Sequence, residues 1–412
     1  MAALTLPAVN RVAQAAAAWA IVLIGFSLPI STALDNILLG IILIAFPLAG
    51  QYRERLGSLP RNPAVIALVG LFALIAGATL YGDAPGATRH KYLLKYSDLM
   101  LVILLVPMFV HECTRRRALM AFGVAMTVTL LLSLLLSMGV LPPLQWLRGD
   151  PDNAVVFKLQ ITHNLLMAFA AFLFATAAAG EAVNWKRQAL YALAFLAFVD
   201  VFFLVHGRTG QVALLLLTIY FFARHFGWRG FVAGVLAGVL AVVAAWYLSS
   251  IFRDHVVLTT AEYEHSKVES AADSASSVGL RMEWYRNTLR MIAQRPIFGA
   301  GIGGFPDAYA AFVSDPAAQK PTHPHNQFLM TAAEMGIVGV AALLAVFIWL
   351  WRSAVRIPDL LRRELARGLV LTFVIGCLFN SLLIDHTEAL FFVWMAALAF
   401  AGVGAGGEGE VR

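Results

Sequence analysis

The sequence predicts an all-α polytopic membrane protein with about twelve transmembrane helices and a large, partly helical loop on the outer side. Of its 412 residues, 60% are hydrophobic and only 13% are charged. Apolar stretches of about twenty residues, the length that crosses a hydrocarbon core, recur along the chain. The formal net charge of +6 comes mostly from arginines between these stretches, so it does not indicate a nucleic-acid partner.

Hydropathy divides the chain into three regions. An N-terminal bundle of about nine spans covers residues 1–250, a large outer loop covers 251–333, and about three C-terminal spans lie within 334–412. The first apolar run lacks a small-residue cleavage pattern and is predicted to be a span. The predicted spans are 13–31, 34–50, 63–81, 97–113, 118–140, 162–180, 188–205, 210–225, 230–250, 334–351, 366–384 and 388–405.

The short basic loops predict the orientation of these spans. Loops rich in arginine and lysine stay in the cytoplasm, and all such loops here fall on one face. Both termini are therefore predicted to be cytoplasmic, which agrees with an even number of spans. The basic residues on this face are Arg53, Arg55, Arg61, Arg115, Arg116, Arg117, Lys186, Arg187, Arg224, Arg229, Arg352, Arg356, Arg362, Arg363 and Arg367.

The outer loop contains a predicted amphipathic helix over residues 279–295. At about 100° per residue, Arg281 borders the apolar stripe of this helix, Arg286 lies further round and Arg290 points away from it. Arg281 is therefore expected to face the protein or a ligand. The polar stretch 259–277 precedes this helix, and the sequence leaves its order open. The predicted stripe consists of Met282, Tyr285, Leu289 and Ile292.

Two features could bind an anion on the outer side. Arg208 follows a span directly, and its guanidinium fork suits phosphate oxygens. The adjacent Gly207 and Gly210 would let backbone amides approach the anion, although a lipid-headgroup anchor is the simpler reading of such an arginine. The glycine-rich stretch 299–304 could form an anion-binding nest, or it could be a tight turn toward the membrane.

A second group of polar residues lies where the outer loop ends. Asn326 is a good N-cap for a helix starting at the next residue, which places His325 at the mouth of that helix. A neutral imidazole there could accept a proton from a sugar hydroxyl. The alternatives are a structural interfacial histidine, or a zinc site that joins His323 and His325 to Asp307 or Asp315.

Glycines and charged residues surround this group in the sequence. Gly336 and Gly339 are predicted to allow close helix contact. The outer basic residues would bind a phosphorylated acceptor lipid or ordinary headgroups, and the polar turn at Asp385, His386 and Glu388 could orient the site. The basic residues are Arg89, His90, Lys91, Lys95, Arg148 and Lys158.

The pattern His325-Asn326-x9-Gly336-x2-Gly339 resembles the signature of bacterial O-antigen ligases. Arg208 after a mid-chain span, Arg281 in a large outer loop, and the Pro-x-x-Gly-x-Gly-x-Gly stretch from residue 296 resemble that family as well. The topology of about twelve spans fits over the whole chain, whereas the residue-level motifs lie mainly within 205–340.

The resemblance implies a metal-independent glycosyltransferase of the GT-C type in the bacterial inner membrane, with its active site in the periplasm and no cofactor. It would move O-antigen glycan from undecaprenyl pyrophosphate to a lipid A–core sugar. Membrane lipids would surround the protein, which would be a monomer or weak dimer. His325 or His323 would deprotonate or orient the acceptor hydroxyl. Arg208 and Arg281 would bind the pyrophosphate. Weaker substrate-binding candidates are Asn326, Arg89, Lys91, Lys95 and His386.

Three alternatives remain open from the sequence. An O-antigen polymerase would use similar machinery, and a protein O-oligosaccharyltransferase would share the loop signature but usually carries an additional C-terminal soluble region. A transporter of the same lipid would need ionisable residues near mid-membrane, for which Asp200 and the pair Asp35 and Asn36 are the candidates. Asp200 lies about two turns from the outer end of its span and could instead reach the outer polar site.

Overall fold

The computed structural model describes residues 6–50, 56–57, 59–142, 144, 146–248, 253, 257, 277–313 and 320–404. This part is helical, with one isolated bridge between Asp150 and Asn153. Most of the stretch 259–277 lies outside the described residues, and so do Arg53 and Arg55, which are predicted to be cytoplasmic. The α-helices are α1 (Leu6–Ser27), α2 (Thr32–Leu48), α3 (Pro63–Gly77), α4 (Gly86–Lys95), α5 (Val102–Met108), α6 (Glu112–Ser137), α7 (Gln160–Gly180), α8 (Asn184–Val199), α9 (Arg208–Leu248), α10 (Ser277–Gln294), α11 (Phe305–Ala310), α12 (Gln327–Ser353), α13 (Leu360–Phe379) and α14 (His386–Phe400).

The all-helical, polytopic membrane fold is confirmed, but the number of twelve spans is not. Seven helical stretches in the described residues are long and apolar enough to cross a membrane, and three shorter apolar helices accompany them. The shorter α14 has 15 residues and a length of about 22 Å, less than a hydrocarbon core of about 30 Å. In α13, four of the first eight residues are charged, which lowers its hydropathy.

The long helix α9 is bent sharply at Gly227, whose φ of 60° and ψ of −140° are not helical. Its two halves pack antiparallel: a methyl group on Gly234 would lie 2.8 Å from Cα of Ile219, and one on Gly238 would lie 3.2 Å from the side chain of Leu215. The bend falls between the predicted spans 210–225 and 230–250. These glycines permit the close approach of the two halves.

Helix α14 forms the centre of the bundle. Every residue from Thr387 to Phe400 is buried, so this helix is apolar on all sides and contacts protein all round. The indole Nε1 of Trp394 donates to the carbonyl of Ile21 in α1 at 3.0 Å. A methyl group on Gly25 would lie 2.8 Å from the Trp394 ring. This packing positions the N-terminal end of α14, which follows the polar turn after α13.

The amphipathic helix α10 is present as predicted, but its buried face was predicted incorrectly. Leu289 is 56% exposed, whereas Asn287 and Thr288 are buried. Their polar groups have partners: Asn287 Nδ2 donates to the Tyr309 hydroxyl at 3.3 Å, and Thr288 Oγ1 donates to the Trp284 carbonyl at 2.6 Å. Because these bonds satisfy them, the helix rotates by about one residue relative to the apolar pattern. Arg286 and Arg290 are exposed, as expected.

Of the two alternatives predicted for the glycine-rich stretch 299–304, the structure shows the tight turn and not the anion nest. Its amides already have acceptors: Ala300 N–H donates to the Ala333 carbonyl at 2.8 Å, and Gly301 N–H donates to the Glu334 carbonyl at 2.9 Å. Gly303 N–H donates to the buried Glu334 carboxyl at 2.8 Å. The turn therefore docks onto α12 through its backbone. The amides that would bind an anion already donate their hydrogen bonds to α12.

Gly336 and Gly339 do not mediate the helix–helix contact that was predicted. Gly336 has φ 61° and ψ −157° and interrupts α12. A methyl group there would lie 2.2 Å from the carbonyl of Ile297, so the close contact is with the loop before the glycine-rich turn. A methyl group on Gly339 would lie 2.4 Å from Cβ of Met335 in its own helix. The interruption at Gly336 accounts for both contacts, because it redirects the preceding turn of α12.

Candidate active site

His325 has an unusual backbone that several contacts hold in place. Its φ is 53°, and no other non-glycine residue in the described ranges has a positive φ. This left-handed conformation is unfavourable for a residue with a side chain and is found at functional sites. Its N–H donates to His323 Nδ1, and its carbonyl accepts from the Tyr285 hydroxyl, each at 3.3 Å. Asn326, the next residue, caps α12 as predicted, since its Oδ1 accepts from Leu329 N–H at 3.0 Å.

The imidazole of His325 is oriented by residues from two helices. Its Nδ1 lies 3.2 Å from Oδ1 of Asn380, at the end of α13. Asn380 Nδ2 donates to Asp385 Oδ2 at 3.3 Å, which turns the amide oxygen toward the histidine. Nδ1 of His325 therefore carries the proton, and Nε2 carries the lone pair. The Trp284 ring from α10 stacks on the imidazole, with the ring centroids 5.4 Å apart.

Both histidines are held in the neutral form. Burial first, and then the charge of Arg281, lower the pKa of His325, while the hydrogen bond to Asn380 raises it. Burial, then His325, Lys95 and Arg281, lower the pKa of His323 to about 4. Because His323 Nδ1 accepts from the His325 amide, its proton is on Nε2. The pair thus offers a proton acceptor on His325 and a proton donor on His323.

Two cations from different elements act on this pair. Arg281 lies on α10, and Lys95 ends α4, with its Nζ 5.0 Å from the Tyr92 ring. Burial raises the pKa of Asp385, whereas the charge of Lys95 lowers it, so Lys95 acts on the carboxyl that orients Asn380 as well as on His323. Positive charge beside neutral imidazoles suits an anionic substrate.

Arg208 begins α9 and is exposed. The turn before it is held by Asn164 of α7, whose Nδ2 donates to the carbonyls of Val205 at 3.2 Å and Gly207 at 3.1 Å. Methyl groups on Gly207 and Gly210 would lie 2.3 and 2.5 Å from Asn164. These glycines therefore permit packing on α7, and the approach of their amides to an anion stays a prediction.

The turn before Arg208 and the His325 site lie at the same end of the bundle. Leu165, which follows Asn164, approaches Gly376 of α13, where a methyl group would lie 3.4 Å from its Cδ1. Gly376 is one turn before Asn380, and its carbonyl accepts from the Asn380 N–H at 2.9 Å. Helices α7 and α13 thus connect the predicted phosphate-binding arginine to the residue that orients His325.

The weaker substrate-binding candidates occupy different positions. Lys95 acts on His323, whereas Lys91 is exposed on α4. Arg89 Nη1 donates to the Thr79 carbonyl at 2.7 Å. His386 Nδ1 lies 2.7 Å from Asp98 Oδ2, and Asn326 Nδ2 donates to the Leu378 carbonyl at 2.9 Å. Among these five residues, Lys95 adds to the effect of burial in lowering the pKa of His323, and Asn326 directly follows His325 in the chain.

Several buried ionisable groups form separate pairs. Asp200 does not reach the outer polar site: His163 Nε2 lies 3.0 Å from its Oδ2, and Ser133 donates to its Oδ1. Lys158 Nζ lies 3.8 Å from Asp35 Oδ2, so this outer basic residue points into the bundle. Because each group has a partner of complementary chemistry, these pairs stabilise the helix packing.

The sequence reading missed the residues that orient His325. Asn380 and Trp284 were not singled out, and neither was Asn164 beside Arg208. The signal for Asn380 was an amide at the outer end of an apolar span, five residues before an aspartate. Within the described ranges, no three His, Cys, Asp or Glu side chains come together as a metal site. Asp315, one carboxylate of the zinc alternative, lies outside those ranges.

The chain has limited similarity to known proteins. No curated protein matches the sequence. One solved structure, described by the words "structural coordination of polymerization and crosslinking by a peptidoglycan synthase complex", has 19% identity and a TM-score of 0.45, covering 82% of this chain and 95% of that one. Residues 191–344 match the family model Wzy_C, described as O-antigen ligase. This segment includes Arg208, Arg281, His323 and His325, and the match supports the resemblance to the O-antigen ligase family that these motifs carry.

Proposed function

We propose that this protein transfers O-antigen glycan from undecaprenyl pyrophosphate to a sugar hydroxyl of the lipid A–core oligosaccharide. The observation that carries the proposal is the His325 imidazole, whose Nδ1 is held by Asn380 so that Nε2 is left as a base. It lies within the segment that matches the O-antigen ligase model. We place the reaction on the periplasmic face of the inner membrane, with both termini cytoplasmic, from the positions of the basic loops.

The reaction is a displacement at the anomeric carbon. The acceptor hydroxyl gives its proton to Nε2 of His325 as its oxygen attacks that carbon. The bond from the anomeric carbon to the pyrophosphate oxygen breaks, and its electron pair leaves with the pyrophosphate. Attack from the opposite side inverts the configuration of this carbon. The proton then passes from the imidazolium to solvent or to the departing pyrophosphate.

Two features of the site would stabilise the charges that develop. Arg281 and Arg208 would bind the pyrophosphate and stabilise its negative charge as it departs. The imidazolium formed at His325 is stacked on Trp284, whose ring face attracts a cation, and donates from Nδ1 to Asn380. We assign His323 as the donor of a hydrogen bond from Nε2 to substrate, because its low pKa keeps it neutral.

The charge on Arg281 couples donor binding to the basicity of His325. In the free protein, burial and then the charge of Arg281 lower the pKa of His325. A bound pyrophosphate would compensate that positive charge, so the proton affinity of the imidazole would rise when the donor is present. His325 would therefore become a stronger base in the donor complex than in the free protein.

Reconstitution in liposomes with the donor, lipid A–core and EDTA tests this function. We expect a ladder of glycan-capped lipid A–core from the wild type, and none from His325→Ala. His111→Ala is a matched control, because His111 is exposed at the start of α6 and its side chain makes no capping hydrogen bond. Longer lipid-linked glycan without capped acceptor would instead identify a polymerase. Folded wild-type protein that forms neither product would refute the glycosyltransferase proposal.

A further inference from the structure

A cavity of about 340 Å³ lies between α7, α8 and both halves of α9. Its walls are almost entirely apolar, and aromatic rings from all three helices contribute to them. Tyr191 and Phe195 on α8 are 42% and 66% exposed, so the cavity opens sideways, away from the bundle centre. For a helix bundle in a bilayer, the material outside this opening is lipid chain. The cavity is therefore accessible to a hydrocarbon chain from within the membrane.

The far end of the cavity lies deeper in the membrane than one leaflet extends. Leu214 and Phe222, which line it, follow Arg208 by six and fourteen residues, or about 9 and 21 Å along the helix. On α7, the lining residue Ala175 lies about 22 Å from the outer end of that helix. One leaflet contributes about 15 Å of the hydrocarbon core. The cavity thus begins within the outer leaflet and continues past the midplane, where an acyl chain of that leaflet ends.

The same helices frame this cavity and the turn before Arg208. Asn164, in the first turns of α7, holds that turn by two hydrogen bonds, and Phe172 of α7 lines the cavity two turns further on. The wall opposite comes from the second half of α9, where Ala237 faces the cavity beside the close contact at Gly238. A lipid whose phosphate lay at Arg208 would have its chain directed along α9 toward this space.

We propose that the cavity binds the polyprenyl chain of the donor lipid beneath its pyrophosphate. This inference rests on the proposed function, which supplies a lipid with a chain longer than one leaflet is thick. Because the surrounding lipid chains are as apolar as the cavity walls, the hydrophobic effect does not favour the cavity over the bilayer for a polyprenyl chain. Selection depends on van der Waals contact between the branched chain and the rings of Phe172, Phe198 and Phe222. The cavity would thereby favour long polyprenyl donors over short ones.

The test compares two donors that carry the same glycan on an undecaprenyl or a short prenyl pyrophosphate. Ala194→Trp fills the cavity, and Ala192→Trp is the matched control, because Ala192 is exposed on the same helix and does not line the cavity. We expect Ala194→Trp to raise KM for the undecaprenyl donor by about fivefold to tenfold, with KM for the short donor unchanged. Equal changes for both donors, or no change, would overturn the proposal.

A binding measurement that does not depend on glycan transfer to the acceptor separates this inference from the proposed function. An undecaprenyl pyrophosphate with a photoreactive group midway along its chain should cross-link to peptides of α8 and α9 in the wild type, and about fivefold less in Ala194→Trp. Excess undecaprenyl pyrophosphate should prevent the cross-link, whereas excess diacyl phospholipid should not. Competition by phospholipid to the same degree would show a general lipid site and refute the inference. A wild type that cross-links without capping lipid A–core would refute the proposed function alone.

Discussion

Removal of the Asn380 amide is expected to slow catalysis with little effect on donor binding. Asn380→Ala deletes the group 3.2 Å from His325 Nδ1 and leaves the neutral imidazole free to place its proton on Nε2. A hydrogen bond to a charged group contributes about 1.5–3 kcal/mol, and this bond is to an imidazolium once the proton is taken. We therefore expect kcat to fall by about 10- to 100-fold.

The pH profile of Asn380 variants distinguishes loss of control over the His325 tautomer from a general loss of order in the site. Burial and Arg281 lower the pKa of His325, so the wild type should keep its activity below the usual histidine pKa of about 6.5 and lose it as the pH falls through that lowered value. Asn380→Asp places a carboxylate beside Nδ1 and raises the pKa of His325. Its acid limb should therefore shift to higher pH, while part of the lost rate returns.

The assay is initial-rate capping in liposomes between about pH 5 and 8, the interval in which histidine changes charge, with donor binding measured separately. Ser381→Ala is the matched control: Ser381 is the adjacent buried residue, and its hydroxyl has no hydrogen-bond partner among the described residues. It should keep the wild-type rate and profile. Asn380→Ala with wild-type kcat and an unchanged acid limb would refute the role of Asn380 in orienting the base.

Three further changes test other parts of the site. Asp385→Ala removes the acceptor that orients the Asn380 amide, so kcat should fall by about fivefold to tenfold while the Kd of the donor, measured by equilibrium binding, stays constant; an unchanged kcat would contradict this. Arg281→Lys keeps the charge but loses the planar fork, and KM for the donor should rise by about tenfold. The same change at the exposed Arg286 should leave KM unaltered, and equal effects at both positions would contradict the assignment. Gly301→Ala forces a side chain into φ 81° and to 2.3 Å from a neighbouring backbone oxygen, so the free energy of unfolding should fall by about 1–3 kcal/mol. Thermal unfolding in detergent checks this against Gly86→Ala, which meets open space; equal midpoints for the two variants would argue against a strained turn.

The local features of this protein were predictable from the sequence. Helices over the apolar stretches follow from their length and composition, and the start of α12 follows from the capping side chain of Asn326, which bonds three residues ahead. The exposure of Arg286 and Arg290 follows from helical periodicity. Each of these properties depends on residues within one or two turns, so the sequence alone contains the necessary information.

The buried face of α10 shows where a local pattern stops being sufficient. Apolar spacing predicted that Leu289 is buried, whereas Asn287 is buried in its place because the Tyr309 hydroxyl accepts from its amide. The glycine-rich turn shows the same limitation. The sequence left open whether its amides are available for an anion, and α12 supplies their acceptors. In both cases a polar group was satisfied by a segment that the local pattern does not contain.

The sequence by itself therefore determined a polytopic helical membrane protein, the cap of α12 and a family signature centred on His325. Tertiary structure alone decided that Asn380, 55 positions further along the chain, orients that imidazole. It also decided that Asp200 is paired with His163 and lies apart from the site. The physical reason is that a hydrogen bond between the ends of two helices depends on how those helices pack, and no short stretch of sequence encodes that packing.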